Sequence, residues 1–137
     1  MYKRIVVSVD GSENSLRAVE QVAHLAKLID DVKIDVVSVI AIDVYSDMVY
    51  DPIEAHGDTQ RELIQPALDL LKEAGAEPES VLLHGRPADE IVRYAESEGA
   101  DLLVIGSRGL NALQEFTIGS VSHKVIKHAK CPVLVVK

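Results

Sequence analysis

The chain has 137 residues, a length typical of one domain with one hydrophobic core, so we expect a single domain over residues 1–137. Apolar residues make up 47% of the chain and charged residues 26%, which is ordinary for a globular protein and excludes intrinsic disorder. The net charge of -8 repels a phosphate backbone, and aromatic residues, at 4%, offer few platforms for stacking on bases. Nucleic acid is therefore not an expected partner.

Cysteine content and hydropathy bear on the compartment. Cys131 is the only cysteine, which excludes an intrachain disulfide and agrees with a reducing compartment. Residues 1–4 lead directly into a strand-like stretch without the apolar segment of a signal peptide. No apolar run approaches the roughly 18 residues that a membrane span needs. We therefore expect a cytoplasmic protein without a membrane partner.

Five short runs rich in β-branched residues predict strands at residues 4–9, 34–42, 80–84, 101–106 and 132–136. Several of these runs are apolar almost without interruption, which is typical of parallel strands that are covered on both faces. Four segments with apolar residues at helical spacing lie between them and give the order β-α-β-α-β-α-β-α-β.

This alternation predicts an α/β fold: an open five-stranded parallel sheet with helices on both faces, similar to the Rossmann fold. Right-handed crossovers and short connections leave two common strand orders, 2-1-3-4-5 and 3-2-1-4-5. We favour 3-2-1-4-5 because it places the apolar first and fourth strands side by side at the centre of the sheet.

Prolines and glycines predict several helix boundaries. Pro87 is suited to the first turn of the third helix, whereas Gly75 and Gly99 fall where the second and third helices should end. Pro66 lies inside the second helical pattern, so that helix either begins near Pro66 or is kinked there.

Two predicted connections are longer than usual, at residues 43–56 and 107–118. Both follow the carboxyl end of a strand, the side on which open α/β sheets hold their ligands. The first connection mixes apolar and acidic residues. We interpret it as a mobile cover or a partner surface, with a plain solvated loop as the alternative.

The most informative stretch of the sequence, residues 106–122, contains the second of these connections. It consists of two tetrapeptides separated by nine residues: Gly106-Ser107-Arg108-Gly109 and Gly119-Ser120-Val121-Ser122. Gly106 leaves room for a ligand at the end of a strand, and Gly109 permits the positive φ of a tight phosphate turn. Gly119 and Ser120 open a helix whose free N–H groups and positive end favour an anion.

Side chains in the same stretch support a phosphate site. Arg108 supplies a cation, and the hydroxyls of Ser120 and Ser122 are additional donors. The stretch begins where a strand ends and finishes where a helix begins, which favours a functional interpretation. The alternative is a turn glycine, a loop glycine and a helix cap that are in register by chance.

A family resemblance rests on these residues. The pattern G-x2-G-x9-G-[S/T], with the opening residues 5–12 and the closing residues 131–136, resembles the universal stress protein family over essentially the whole chain. The resemblance implies a sheet of order 3-2-1-4-5 of the adenine nucleotide alpha hydrolase-like type. It also implies ATP binding in members that keep the glycine pattern, and homodimers joined through the last strand, here Val133–Val136.

The resemblance also implies which residues bind the nucleotide. Asp10 matches an acidic residue that contacts the nucleoside, and Val39 matches a position that packs near adenine. For Asp10, a role in capping the first helix is an equal alternative. The implied binding residues are Ser8, Asp10, Val39, Gly106, Ser107, Arg108, Gly109, Gly119, Ser120, Val121 and Ser122.

We therefore predict a universal stress protein that binds ATP, or ADP or AMP, and acts as a nucleotide-dependent regulator on an unknown protein partner. The five histidines are scattered and form no metal motif, so we expect no metal site built from protein side chains. Mg or Mn would bind through the phosphates of the nucleotide. We assign no catalytic residue and expect at most slow ATP hydrolysis. The alternatives are an ATP pyrophosphatase-type ligase, whose paired glycines are missing after Ser8, and a ligand-free dimerising scaffold.

Overall fold

A computed structural model describes residues 2–41, 53–108 and 118–137, with the backbone alone for residues 53–58. The elements are β1 (Arg4–Ser8), α1 (Glu13–Leu28), β2 (Lys33–Ala41), α2 (Ile53–Glu73), β3 (Glu79–Gly85), α3 (Pro87–Ser97), β4 (Leu102–Gly106), α4 (Ser120–His128) and β5 (Val133–Val136). The strands form one parallel five-stranded sheet in the order β3-β2-β1-β4-β5. The predicted order 3-2-1-4-5 is confirmed, and the order 2-1-3-4-5 is excluded.

Strand β1 lies at the centre of the sheet, between β2 and β4. Ile5 aligns with Ile34 on β2 and with Leu102 on β4, and all three side chains are buried. Alternate residues of β1 face opposite layers: Val7 packs with α1 and α2, whereas Val6 packs with α3 and α4. Both faces of the strand are therefore covered by apolar side chains, which explains its uninterrupted apolar sequence.

The predicted helix boundaries are confirmed at three positions. Pro87 is the first residue of α3, where its missing N–H costs no helical hydrogen bond. Gly75 follows α2 with φ +86, and Gly99 follows α3 with φ +65, a left-handed conformation that favours glycine. Helix α1 is capped by Ser12, whose Oγ accepts a hydrogen bond from Ser15 N at 3.2 Å.

Helix α2 begins well before Pro66, which decides between the two predictions for that residue. It runs over Ile53–Glu73 with Pro66 inside it, so a helix that begins near Pro66 is wrong. The turns before Pro66 are held by tertiary contacts: Ile64 is buried, and Ser38 Oγ donates a hydrogen bond to Gln60 Oε1 at 2.8 Å. The predicted end of the connection 43–56 is therefore wrong by four residues, because residues 53–56 belong to α2. The remainder of that connection lies outside the described residues.

Polar side chains join the strands at the amino edge of the sheet. Asp35 is fully buried, and its Oδ2 accepts hydrogen bonds from Arg4 Nε at 2.9 Å and from the Tyr94 hydroxyl at 3.1 Å. Burial and the neighbouring Asp35 carboxylate raise the pKa of Tyr94, so this hydroxyl stays a donor. Asp101 Oδ2 accepts from the backbone N–H groups of Lys3 and Arg4 at 2.8 and 2.9 Å. These contacts stabilise the edge opposite the carboxyl ends of the strands.

Candidate functional site

The candidate site lies at the carboxyl ends of β1 and β4, the two central strands. After β1 the chain enters α1 on one face of the sheet, and after β4 it leads to α4 on the other face. The strand order reverses between β1 and β4, which is the topological position where open α/β sheets bind ligands. Asp10 follows β1, and the first tetrapeptide of the glycine pattern follows β4.

Two hydrogen bonds bring the halves of the glycine pattern together. The Gly119 N–H donates to the Ser107 carbonyl oxygen at 2.8 Å. The Ser122 hydroxyl donates to the Gly106 carbonyl oxygen at 2.7 Å. The first turn of α4 is therefore held directly against the end of β4, although twelve positions separate residues 107 and 119.

The first turn of α4 has the properties of an anion site. Gly119 is the N-cap and offers no side-chain acceptor to the helix. The amides of Ser120, Val121 and Ser122 precede the first internal bond of the helix, from His123 N to Gly119 O, and have no acceptor within the described ranges. The first turn also carries no acidic side chain. An external anion would therefore meet three N–H donors and the positive end of the helix dipole.

Two residues of the glycine pattern have structural contacts that the sequence did not predict. The Ser122 side chain is buried, and its hydroxyl proton is already donated to Gly106 O. A Cβ at Gly106 would lie 2.9 Å from the carbonyl carbon of Asn14. The first turn of α1 therefore approaches position 106 closely enough to require a glycine there, a reason that the sequence did not indicate.

The residues at the end of β1 and on β2 lie near this edge with different exposures. Asp10 is exposed, and its Oδ1 accepts a hydrogen bond from Ser12 N at 2.9 Å. Ser12 itself caps α1, so Asp10 shapes the turn before the cap. Ser8 ends β1 in register with Val37 of β2, and Val39 is partly buried two residues beyond Val37.

The remaining residues of the pattern can be placed only in part. Arg108 follows Ser107 and is partly exposed, and Ser120 and Val121 are exposed. Gly109 lies outside the described residues, as do residues 110–117. Among the residues that are described, no group of three or more His, Cys, Asp or Glu side chains is arranged to hold a metal ion. No helix in the described ranges is long and apolar enough to cross a membrane.

Asn14 belongs to the site but was missed by the sequence interpretation. It lies in the first turn of α1, it is buried, and its Nδ2 donates a hydrogen bond to Ser107 Oγ at 3.2 Å. The contact joins residues 93 positions apart. The one local signal is a polar residue at a buried position of the helix, and that signal does not name the partner.

A parallel α/β fold, with a helix N-terminus that lacks a side-chain cap at the switch point, defines a Rossmann-like protein with a candidate anion site. Comparison with known families makes this more specific, because the model of the Universal stress protein family matches residues 1–137. The chain belongs to the universal stress protein family. The predicted resemblance is thereby confirmed at the level of the family.

Relatives of known name agree over nearly the full length. The chain is 32% identical to Universal stress protein YxiE of Bacillus subtilis, and the match covers 100% of each chain. It is 40% identical to Universal stress protein MJ0531 of Methanocaldococcus jannaschii, with 100% of this chain and 83% of the relative covered.

Three solved structures of similar proteins contain adenine nucleotides. A universal stress protein in complex with cAMP matches with a TM-score of 0.78 and 30% identity, covering 99% of this chain and 97% of the other. The Archaeoglobus fulgidus protein in complex with dAMP matches with a TM-score of 0.77 and 29% identity, covering 99% and 98%. An Arabidopsis thaliana family protein with AMP bound matches with a TM-score of 0.71 and 26% identity, covering 98% and 91%.

Proposed function

We propose that this protein binds ATP, or ADP or AMP, at the carboxyl edge between β1 and β4 and acts as a nucleotide-dependent regulatory protein in a stress response. One observation carries the proposal: the hydrogen bond of 2.8 Å from Gly119 N–H to Ser107 O holds the N-terminus of α4 beside the end of β4. This N-terminus has no side-chain cap. The cAMP, dAMP and AMP complexes of similar proteins support an adenine nucleotide as the ligand.

The proposed residue roles follow from position along the edge. The amides of Ser120 and Val121, the Ser120 hydroxyl and Arg108 bind the phosphates. The sequence pattern adds Gly109, which lies outside the described residues. Ser122 contributes its amide, because its hydroxyl is already bonded to Gly106 O. Mg or Mn would bind through the phosphates.

The nucleoside would lie toward β1 and β2. Asp10 accepts hydrogen bonds from it with its exposed carboxylate, close to Ser8 at the end of β1. Val39 provides apolar contact for the adenine from β2. Both contacts are separate from the first turn of α4, so phosphate and nucleoside recognition can be tested independently.

Binding, more than turnover, is the activity that we propose. The donors at the first turn of α4 are backbone amides and a hydroxyl, groups that hold a phosphate without activating a water molecule. Slow ATP hydrolysis and ligase chemistry are tested by product analysis after long incubation with ATP. Nucleotide released by heat from freshly purified protein would exclude a ligand-free scaffold, and native mass spectrometry of the same sample identifies the nucleotide.

A matched pair of variants at Ser120 tests the site. Ser120→Pro removes one amide donor at the first helical position, where proline is well tolerated, and Ser120→Ala removes only the hydroxyl. Titration calorimetry should show ATP affinity about tenfold or more lower for the proline variant and a smaller loss for the alanine variant.

Adenosine provides the control for this pair. Because adenosine has no phosphate, both variants should bind it as the parent does. Unchanged ATP affinity in Ser120→Pro would contradict a phosphate at the first turn of α4, and a parent that binds neither ligand would contradict the proposed function.

A further inference from the structure

We infer that Asn14 is a positioning residue for the nucleotide phosphates, acting through the hydroxyl of Ser107. The inference rests on the proposed function, since it concerns the same site. It assigns a role in recognition to the first turn of α1, which packs on the opposite face of the sheet from α4.

Ser107 is the centre of this argument because the fold already uses most of its polar groups. Its N–H donates to Val136 O at 2.7 Å, and its carbonyl oxygen accepts from Gly119 N at 2.8 Å. Its Oγ accepts from Asn14 Nδ2 at 3.2 Å. The hydroxyl accepts this hydrogen bond and still has its own proton to donate. Because the Ser107 N–H is already bonded to Val136 O, the hydroxyl proton is the one donor of Ser107 that is left for a ligand.

The orientation of the Asn14 amide is fixed by a second contact. Arg17 Nη1 donates to Asn14 Oδ1 at 3.0 Å, which leaves the Nδ2 group facing Ser107. Arg17 is held in turn by Glu13, whose Oε2 lies 3.3 Å from Arg17 Nη2. Only an N–H group is therefore presented to the Ser107 oxygen. The Ser107 proton must point away from Asn14, and the first turn of α4 lies beside Ser107 through the Gly119 contact.

Burial makes this contact hard to replace by water. Asn14 is 6% exposed and Ser107 is 9% exposed. A lost hydrogen bond between buried groups leaves a donor or an acceptor without solvent compensation. The backbone adds rigidity, because a Cβ at Gly106 would lie 2.9 Å from the Asn14 carbonyl carbon. The first turn of α1 and the end of β4 thus form one close-packed unit behind the phosphate position.

A double-mutant cycle tests the inference with ATP and adenosine as ligands. Asn14→Ala should weaken ATP binding by about five- to tenfold, the effect of losing one oriented hydrogen bond, and should change adenosine binding less than about twofold. In the Ser107→Ala background the same substitution should have no further effect on ATP affinity. A residue that only stabilised the fold would weaken both ligands and would keep its effect in that background.

An isosteric variant covers the case in which Asn14→Ala does not fold. In Asn14→Asp the carboxylate accepts from the Ser107 hydroxyl and turns its proton away from the ligand, so the loss should again be confined to ATP. Gln21→Glu is the control, because it adds the same charge at an exposed position of α1 away from Ser107.

The outcomes separate the two proposals. A parent that binds ATP, with Asn14 variants that bind it equally well, would overturn the role of Asn14 and leave the proposed function standing. A parent that binds neither ATP nor adenosine would overturn the proposed function and the role of Asn14 with it.

Discussion

Ser120 is the residue at which folding and the proposed nucleotide binding would have opposite requirements. It begins α4 with an amide that the helix does not use, and the first turn carries no acidic side chain. Ser120→Asp would place a carboxylate against these amides and the positive end of the helix dipole. We expect a free energy of unfolding higher by about 0.3–1 kcal/mol and a lower ATP affinity, because the carboxylate competes with the phosphates.

Denaturant unfolding and calorimetry on the same samples check this prediction. Ser120→Asn is the control, since its side chain has the size of the Asp side chain without the charge. Stability and ATP affinity that rise together in Ser120→Asp would contradict the assignment of the phosphate position.

Asp101 gives a prediction on pH. The backbone N–H groups of Lys3 and Arg4 lower the pKa of its carboxyl below the ordinary value. The folded state thus binds the Asp101 proton less readily than the unfolded state does. The contribution of Asp101 to stability is complete above the unfolded pKa of about 3.9 and is lost as the pH falls through the lower folded pKa.

Asp101→Asn should therefore destabilise the protein at pH 7, and the difference from the parent should shrink as the pH is lowered below about 4. Urea unfolding at a series of pH values measures the difference. Asp30→Asn changes the same group at an exposed turn and is the matched control. A difference from the parent that is constant from pH 7 to acid would contradict the role of the Asp101 carboxylate.

At the scale of elements, α2 retains a proline that weakens it. Pro66 is exposed inside the helix, has no N–H to donate and crowds the carbonyl one turn earlier. Pro66→Ala should raise the free energy of unfolding by about 1–2 kcal/mol, after allowance for the greater freedom of the unfolded chain. Glu62→Ala, at a nearby exposed position, should change it by less than about 0.5 kcal/mol. A less stable Pro66→Ala protein would contradict this account of α2.

The elements also explain which parts of the fold could be predicted. The apolar runs of β1 and β4 identified two strands that are covered on both faces. The strand order could then be chosen because 3-2-1-4-5 places these two strands side by side at the centre of the sheet. The start of α2 could not be fixed from the sequence because Pro66 is a local signal for a helix start. Packing of Ile64 and the Ser38 contact outweigh that signal, and both contacts depend on distant strands.

The same distinction applies to the candidate site. The start of α4 at Ser120 was predictable because a glycine followed by an apolar helical stripe is a local pattern. The hydrogen bond of Asn14 was not predictable, because its partner Ser107 lies 93 positions away. The reason for Gly106 was also hidden, since the atoms that crowd it belong to α1. Local chemistry thus indicated the proposed phosphate position, whereas the residues packed behind it depend on the tertiary fold.

At the scale of the whole molecule, β5 is the outer strand beside β4, and its Leu134 side chain is 37% exposed. An apolar outer strand is commonly covered by a second copy across a two-fold axis. We therefore predict a homodimer joined through Val133–Val136. Sedimentation at micromolar concentration should give the mass of a dimer for the parent and of a monomer for Leu134→Lys. Leu28→Lys, at a side chain that is 80% exposed on α1, should leave the dimer intact.

A monomeric parent, or a dimer that Leu28→Lys disrupts and Leu134→Lys does not, would contradict the predicted interface. The proposed nucleotide site lies at the carboxyl ends of β1 and β4, next to the end of β5, where the Ser107 N–H donates to Val136 O at 2.7 Å. This hydrogen bond directly joins the end of β4, beside the proposed phosphate position, to the strand of the predicted interface.

The most direct test is an amide NMR titration of the protein with ATP and, in parallel, with adenosine. The N–H resonances of Ser120 and Val121 should shift with ATP, because these amides meet the phosphates, and should stay in place with adenosine. ATP binding that leaves both resonances unchanged would contradict a phosphate at the first turn of α4.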